Sequence, residues 1–147
     1  MAVKNGVSLN WDGFDKVLGK AAHKLGDTQA LMESVGDALV SGTLKRFDDE
    51  EEPTGKKWPK SKRAAKEGGQ TLTDKAFLRR SIDYAATPEK VMVGSNLPYA
   101  RIHQLGGKTG KGHKVDMPAR PYLGVSKEDM EEVRETMADF LAGAFKA

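Results

Sequence analysis

Apolar residues recur at intervals of three and four positions through the first half of the chain, which is the spacing of an amphipathic helix. Leu31, Val35 and Leu39 follow this pattern, and it continues to Phe47. Asp27 stands where a side-chain oxygen can accept hydrogen bonds from the first turn of such a helix. The pattern therefore predicts a long helix from Asp27 to about Phe47.

A shorter stretch before this helix has the same spacing. Its apolar residues are Trp11, Phe14, Leu18 and Ala22, and Gly26 can end the helix in the left-handed conformation. Two helices joined by so short a connection predict an N-terminal helical hairpin.

The C-terminal residues predict another long helix. Ser126 and Asp129 have the spacing of a capping box, and Glu128, Glu131 and Glu132 add negative charge near the positive end of the helix dipole. The apolar residues of one stripe are Met130, Val133, Met137, Phe140, Leu141 and Phe145. This stripe predicts that one face of the helix packs on the core.

Alternation of apolar and polar residues replaces the helical spacing in the middle of the chain. Ile82–Ala86 and Lys90–Ser95 read as two strands, with Pro88 in the turn between them. Val91 and Val93 fall on one face of the second strand. The two segments predict a β-hairpin.

Short helices are predicted on either side of this hairpin. Thr73 can cap a helix that contains Phe77 and Ile82. A second short helix, which Asn96 and Pro98 can start, is predicted through Ile102 to about Leu105, because Gly106 and Gly107 can end it.

A further strand is predicted at Lys114–Met117 and Tyr122–Val125, interrupted by the proline cluster from Pro118 to Pro121. The elements together predict an α+β fold in a single domain over residues 1–147. In this fold a small antiparallel sheet of about three strands packs with the N-terminal helical hairpin and the long C-terminal helix.

Two polar segments show neither the three- and four-residue spacing of a helix nor the alternation of a strand. Residues 48–71 form a long polar loop that begins with five consecutive acids and continues with prolines, glycines and lysines, and residues 106–114 form a Gly/Lys loop. Both contain too few apolar side chains to offset the entropy lost on ordering. We expect both loops to be disordered in the isolated chain and to become ordered against a partner.

The composition excludes several kinds of functional site. The 147 residues include no cysteine, which excludes disulfides, thiolate nucleophiles and cysteine zinc sites. No apolar run reaches the roughly 18–20 residues of a membrane span, and the N-terminal residues lack the apolar core of a signal peptide. We expect a soluble protein that is made for the cytoplasm and has no contact with the membrane.

The net charge of +3 conceals a separation of charge along the chain. Residues 53–120 hold 15 Lys and Arg against 5 Asp and Glu, a net charge of +10, and the rest of the chain holds 9 against 16, a net charge of −7. Such a separation suits contact with nucleic acid or with complementary copies of the same protein.

No motif predicts catalysis. His103, with His113 and Asp116 as candidate partners, lacks both a positioned nucleophile and the three or four converging ligands of a metal site. The sequence GGKTGKG lacks the Gly-Lys-Ser/Thr arrangement that leads into a helix at a phosphate-binding loop. His103 follows Tyr99 by four positions on one helix face, so we expect a structural histidine, no cofactor and no enzymatic activity.

Basic residues form two groups that can contact DNA or a protein partner. In the first group, Trp58 stands among Lys56, Lys57, Lys60, Lys62 and Arg63. The second group is Lys108, Lys111 and Lys114 on the Gly/Lys loop. A tryptophan among lysines can stack on bases or anchor against a neighbour, but a lone tryptophan in such a loop more often folds back on its own domain. The lysines can equally do no more than keep the loops solvated, and the acids of residues 48–52 can pair with them in the same chain or in the next copy.

Arg120 stands between two prolines that stiffen its backbone. Its guanidinium suits a carboxylate, either on a partner or at the acidic start of the final helix in the same chain. We expect a structural ion pair, within or between subunits, and not a catalytic role.

Six short motifs, in this order, resemble the phage virion morphogenesis family. They are Phe47, Pro53-x-Gly55-x-x-Trp58, Leu78-x-x-Ser81-Ile82, Val93-Gly94-Ser95-Asn96, Tyr99-Ala100-x-Ile102-His103-Gln104-x-Gly106-Gly107 and Pro118-Ala119-Arg120-Pro121-Tyr122-Leu123-Gly124. The family includes the tail completion proteins of Mu-like and P2-like tailed phages and looks related to HK97-type neck proteins. The resemblance covers roughly Phe47 to the C-terminus, and YARIHQLGG followed by MPARPYLG is its most specific part.

The resemblance implies a structural virion protein at the neck or tail end of a phage. It implies a ring of identical subunits, expected to be a hexamer, that contacts adjacent neck, connector or tail proteins. The motif residues implied to serve the family pattern or the subunit interface are Trp58, Tyr99, His103, Gln104, Pro118, Arg120, Pro121 and Tyr122. The basic loops would then either line a channel crossed by phage DNA or contact the next ring. The alternative is a DNA-binding assembly factor that is not part of the virion.

Overall fold

The computed structural model of the chain describes residues 5–10 and 28–146. The strands are β1 (Asn5–Asn10), β2 (Asp83–Ala86), β3 (Lys90–Ser95), β4 (Gly107–Thr109) and β5 (Val115–Met117). The helices are α1 (Thr28–Asp49), α2 (Lys62–Glu67), α3 (Phe77–Arg80), α4 (Ala100–Leu105) and α5 (Lys127–Lys146), with a 3-10 turn at Lys111–His113. The α+β class, the three-stranded antiparallel sheet and the long C-terminal helix are confirmed.

The sheet has the order β1-β3-β2, and both strand pairs are antiparallel. The predicted hairpin of β2 and β3 is confirmed, and the Thr87 N–H donates a 2.8 Å hydrogen bond to the Lys90 carbonyl to close its turn. Val91 and Val93 are buried on one face of β3, as their alternation predicts. Hydrophobic burial on this face therefore sets the register of the hairpin.

The third strand comes from the N-terminus and not from residues 114–117. Asn5 pairs with Ser95 and Asn10 pairs with Lys90, so β1 covers the whole length of β3. Gly6 lies so close to β3 that a Cβ atom at this position would stand 2.2 Å from the Val93 carbonyl oxygen. Residues 115–117 pair instead with residues 107–109 in a separate two-stranded ribbon.

Helix α1 follows its predicted apolar spacing. Leu31, Val35, Leu39 and Phe47 are all buried, and the helix packs on β2 and β3. The predicted cap at Asp27 lies outside the described residues. The same is true of the predicted helix with Trp11, Phe14, Leu18 and Ala22, and hence of the first half of the helical hairpin.

Helix α5 begins with the predicted capping box. The Ser126 N–H donates to Asp129 Oδ2 at 3.0 Å, and the Asp129 N–H donates to Ser126 Oγ at 2.9 Å. Val133 and Met137 are buried against the core, whereas Met130, Phe140 and Leu141 are half-buried. The helix packs along α1 and closes the core on that side.

The two short helices that the sequence predicts, α3 and α4, differ in how well the structure matches the prediction. Helix α4 ends as expected at Gly106, which has a φ of 71° and donates its N–H to the Ile102 carbonyl at 2.8 Å. Helix α3 is a single turn, and the predicted cap at Thr73 is wrong: Ala76 precedes the helix with a φ of 62°. Thr73 Oγ1 is buried and has no hydrogen-bond partner within the described ranges.

The structure places a helix inside the segment 48–71, for which the sequence predicts only a loop. Ser61 Oγ accepts a 3.1 Å hydrogen bond from the Ala64 N–H and so caps α2. The Thr71 N–H donates to Glu50 Oε1 at 2.7 Å, which ties the end of the segment to its start. Hydrogen bonds from polar side chains thus hold this segment in place, although it buries few apolar side chains.

No helix in the described part of the chain is long and apolar enough to cross a membrane.

Candidate functional site

The segment Pro118–Gly124, which carries the most specific motif, is held through its backbone carbonyls by side chains from three other parts of the chain. Trp58 Nε1 donates to the Pro121 carbonyl at 2.8 Å. Arg46 donates from Nε to the Tyr122 carbonyl at 2.8 Å and from Nη2 to the Gly124 carbonyl at 3.1 Å. This segment has no regular secondary structure of its own, so these donors fix its path.

Gln104 fixes the same segment from α4. Its Oε1 accepts hydrogen bonds from the Tyr122 N–H at 3.0 Å and the Leu123 N–H at 2.9 Å. Its Nε2 donates to the Leu123 carbonyl at 3.2 Å. The amide side chain therefore takes the place of a neighbouring strand, which explains why a glutamine suits this position.

Three aromatic rings meet beneath this segment. Phe47 lies 5.5 Å from both Trp58 and Tyr122 between ring centroids. Trp58 and Tyr122 are buried. Of the interpretations that the sequence allows for Trp58, the structure therefore shows the ring folded back on its own domain. Tyr122 Oη donates to the Ala100 carbonyl at 2.7 Å, and burial raises the pKa of Tyr122 to about 12.

Arg120 is also buried, and the ion pair within the chain that was one of its two expected pairings does not form in the described part of the chain; an ion pair between subunits stays a prediction. Its Nε donates to the Pro59 carbonyl at 2.6 Å, and no salt bridge among the described residues involves it. Burial lowers the pKa of Arg120. The acidic start of α5 is held instead by Arg46, whose Nη1 lies 2.6 Å from Asp129 Oδ2. Sequence reasoning missed Arg46, because a lone arginine in the last turn of a helix usually marks its solvent face.

His103 is half-buried on α4 and packs edge-on against Tyr99, with ring centroids 5.9 Å apart. Its carbonyl accepts a 2.8 Å hydrogen bond from the Arg120 N–H, and its Nδ1 is buried without a hydrogen-bond partner within the described ranges. Burial lowers the pKa of His103, and the positive charge of Arg120 lowers it further. His113 and Asp116 lie on the ribbon, and no hydrogen bond between described residues joins either of them to His103.

The exposed motif residue Tyr99 borders a groove of about 300 Å³. Phe77 stands at the same groove with 60% of its surface exposed, and Tyr99 is 41% exposed. The other residues that line the groove are Ser61, Arg63, Leu72, Asp74, Lys75, Ala76, Leu78, His103, Met117 and Arg120. We call this feature the Phe77/Tyr99 groove; it combines apolar walls with three cationic side chains and one carboxylate.

The two basic groups lie on different elements. Lys56, Lys57, Lys60 and Lys62 are exposed, and Arg63 is half-buried with its Nη2 donating to the Gln70 carbonyl at 2.7 Å. Lys57 pairs with Glu51 of the same chain at 3.3 Å. Lys108, Lys111 and Lys114 are exposed on the ribbon that β4 and β5 form with the 3-10 turn between them. Pro118 is exposed next to this ribbon.

The side chains of the described residues offer no cluster of three or more histidines, aspartates or glutamates that can hold a metal ion.

Comparison with known proteins gives consistent matches over most of the chain. The model of the phage virion morphogenesis family matches residues 9–142. Mu-like prophage FluMu G protein 2 of Haemophilus influenzae is 36% identical over 110 residues, which are 75% of this chain and 75% of that protein. The putative capsid assembly protein G of Escherichia phage Mu is 30% identical over 128 residues, 80% of this chain and 82% of that protein. No solved structure matches the chain.

Proposed function

Since the chain belongs to the phage virion morphogenesis family, we propose that it is a structural virion protein that assembles into a ring of identical copies where the tail joins the head or is completed. The family prediction from the sequence motifs is confirmed, and the match over residues 9–142 is the observation that carries this proposal. One of the similar proteins is named as a putative capsid assembly protein, which agrees with a role in building the particle.

The environment of the motif residues supports a structural role. Trp58, Gln104 and Arg120 each donate a hydrogen bond to a backbone carbonyl of the same chain, and Tyr122 does the same to Ala100. These side chains therefore hold the fold together. The proposal assigns them no step in a chemical reaction.

The exposed apolar side chains support contact with other proteins. Phe77, Tyr99, Leu105 and Val115 all have 41% or more of their surface exposed. A ring of identical subunits needs two different contact surfaces on each copy, and large exposed apolar groups are typical of such surfaces. The separation of charge along the chain adds complementarity between copies.

The proposal is tested on the virion that carries the protein. We expect mass spectrometry of purified particles to detect the chain, and cryo-electron microscopy to place a ring of it at the neck or tail end. A phage without the gene is expected to accumulate heads and tails that fail to join or to mature, and a plasmid copy is expected to restore infectivity. Purified infectious particles that lack the protein overturn the proposal.

A second candidate function is that of a DNA-binding assembly factor outside the virion. It is favoured by Lys108, Lys111 and Lys114, which are exposed together on the ribbon. Phosphate contacts make the affinity for duplex DNA fall with salt, at a log-log slope of about −0.9 for each contact. Replacing the three lysines by alanine is then expected to flatten that slope in a filter-binding assay. A steep slope in a protein absent from particles supports this function over the first.

A further inference from the structure

The Phe77/Tyr99 groove lies at one end of the sheet. The Ser81 N–H donates to the Phe77 carbonyl at 3.0 Å, and Ser81 Oγ lies 2.6 Å from Ser95 Oγ. The Leu97 N–H in turn donates to Ser95 Oγ at 3.1 Å, two residues before Tyr99. Both exposed aromatic residues are therefore joined, through short stretches of chain, to the Ser95 end of β3.

Residues 11–27 connect to the described structure at the opposite end of the sheet. Asn10 pairs with Lys90, at the start of β3. Gln29, near the start of α1, donates from Nε2 to the Ala86 carbonyl at 3.2 Å, and Ala86 pairs with Val91. Both ends of this segment are thus joined to the Lys90 end of the sheet.

The distance between the two ends decides which copy of the chain can fill the groove. Five residue steps separate Asn10 from Asn5, and at a rise of about 3.3 Å per residue they span about 17 Å. Trp11 follows Asn10 directly, so its Cα lies within about 4 Å of that residue. The gap of about 13 Å that is left to the far end of the sheet is more than an indole side chain bridges. Trp11 therefore cannot reach the groove of its own chain.

Charge complementarity indicates what the groove accepts. Its walls carry three cationic side chains, Arg63, Lys75 and Arg120, and one carboxylate, that of Asp74. Asp74 Oδ1 lies 3.8 Å from Arg63 Nη1, so this carboxylate already has a partner in the chain. An apolar group flanked by carboxylates suits such walls. In the sequence Trp11-Asp12-Gly13-Phe14-Asp15, large aromatic residues alternate with acids, and tryptophan is frequent among the residues that anchor protein interfaces.

We propose that the Phe77/Tyr99 groove binds the Trp11–Asp15 segment of a second copy of this chain. This contact rests on the proposed self-assembly and gives it a direction, because the segment of one copy engages the groove of the next. Contacts of this head-to-tail kind close into rings when the rotation between copies allows it. Phe77 and Tyr99 then flank the indole of Trp11, and Arg63 and Lys75 at the groove pair with Asp12 and Asp15.

The experiment uses the absence of cysteine from the chain. An affinity-tagged Asn10→Cys variant, which keeps Trp11 and both acids, is mixed with an untagged Asp74→Cys variant and treated with a short bismaleimide crosslinker. We expect a tagged–untagged heterodimer to be the main product. Adding Trp11→Ala to the first variant, or Phe77→Ser to the second, is expected to lower its yield at least tenfold, and Trp11→Phe is expected to retain most of it. Because Phe77 is 60% exposed, Phe77→Ser is expected to leave the thermal unfolding of the chain unchanged, and a thermal melt of the variant checks this.

The matched control replaces Asp74→Cys by Leu105→Cys, which is 61% exposed and does not line the groove. Equal yields with both partners, a yield that ignores Trp11→Ala and Phe77→Ser, or a crosslink within one chain of an Asn10→Cys/Asp74→Cys double variant overturns the contact. The results distinguish a failure of this contact from a failure of the proposed virion role. A virion ring whose crosslinks ignore Trp11 overturns this contact alone, whereas Trp11-dependent crosslinking in a protein absent from virions overturns the proposed virion role alone.

Discussion

Arg46 and Asp129 form a buried ion pair that joins the last turn of α1 to the first turn of α5. Nη1 of Arg46 lies 2.6 Å from Oδ2 of Asp129, and each side chain is only 6% exposed. Arg46 also donates to the Tyr122 and Gly124 carbonyls, and Asp129 completes the capping box with Ser126. One guanidinium therefore connects the two long helices to the segment with the most specific motif.

Asp129→Ala is expected to lower the free energy of unfolding by about 3–5 kcal/mol, because it leaves the buried Arg46 without its carboxylate. The loss of the capping box adds to this effect. Urea denaturation followed by circular dichroism measures it. The matched control is Glu132→Ala, an exposed acid on the same helix, for which a change within about 0.5 kcal/mol is expected. Equal effects of the two substitutions would show that the pair contributes nothing.

Gln104→Leu is expected to lower the free energy of unfolding by about 2–3 kcal/mol. The substitution leaves the Tyr122 and Leu123 N–H groups and the Leu123 carbonyl without the partner that Gln104 supplies. Hydrogen exchange read by NMR is expected to show faster exchange at these two amides than at the amides of β3. Arg101→Leu, at an exposed position on the same helix, serves as the control. If the Tyr122 and Leu123 amides keep their protection in Gln104→Leu, the role of Gln104 is refuted.

The sequence predicts those elements whose apolar residues face one core. The stripes of α1 and α5 and the alternation of β3 are visible in sequence because burial of Leu31, Val93 and Val133 dictates their spacing. Strand β1 escapes prediction because six residues carry little pattern. Its identity depends on pairing with β3, some 85 residues away in the chain, and no local propensity encodes such a partner.

The candidate site is predicted less well, because its polar contacts join distant parts of the chain. Arg46 meets Asp129 and Gln104 meets Leu123 only once the fold is formed. The sequence leaves Trp58 open as an exposed anchor or, more often for such a loop, as a ring folded back on its own domain, and its contact with Phe47 shows the second. Strand β5 falls within the strand predicted at Lys114–Met117, but its partner β4 escapes prediction because glycines and lysines leave no alternation to read.

The stability of the protein is expected to fall between about pH 10 and pH 12 through the titration of Tyr122. Burial raises the pKa of the folded-state phenol from 10.0 to about 12. The folded state therefore binds this proton more tightly than the unfolded state. Its contribution is fully present below pH 10 and is lost as the pH rises toward 12, by up to about 3 kcal/mol.

Tyr122→Phe isolates this titration from those of the lysines, which occur in both proteins. At pH 7 the variant is expected to lose about 1 kcal/mol with the hydrogen bond to the Ala100 carbonyl. Above pH 10 its free energy of unfolding is expected to fall less steeply than that of the wild type. Parallel curves of denaturation midpoint against pH for the two proteins would contradict the assignment.

Gly36→Ala is expected to destabilise the protein by about 1–3 kcal/mol, although alanine favours helices over glycine by about 1 kcal/mol. A Cβ atom at Gly36 would stand 2.4 Å from Cδ2 of Tyr84, so α1 must move away from the sheet or the ring must leave its place. Gly143→Ala is the matched control, because it lies in α5 with no heavy atom within 4 Å of an added Cβ, and it is expected to stabilise. Thermal denaturation measures both, and Tyr84→Ala is expected to relieve the effect of Gly36→Ala. Because an added Cβ meets Tyr84 at Gly36 and no heavy atom at Gly143, equal stabilisation by both alanines would mean that α1 does not pack this closely on the sheet.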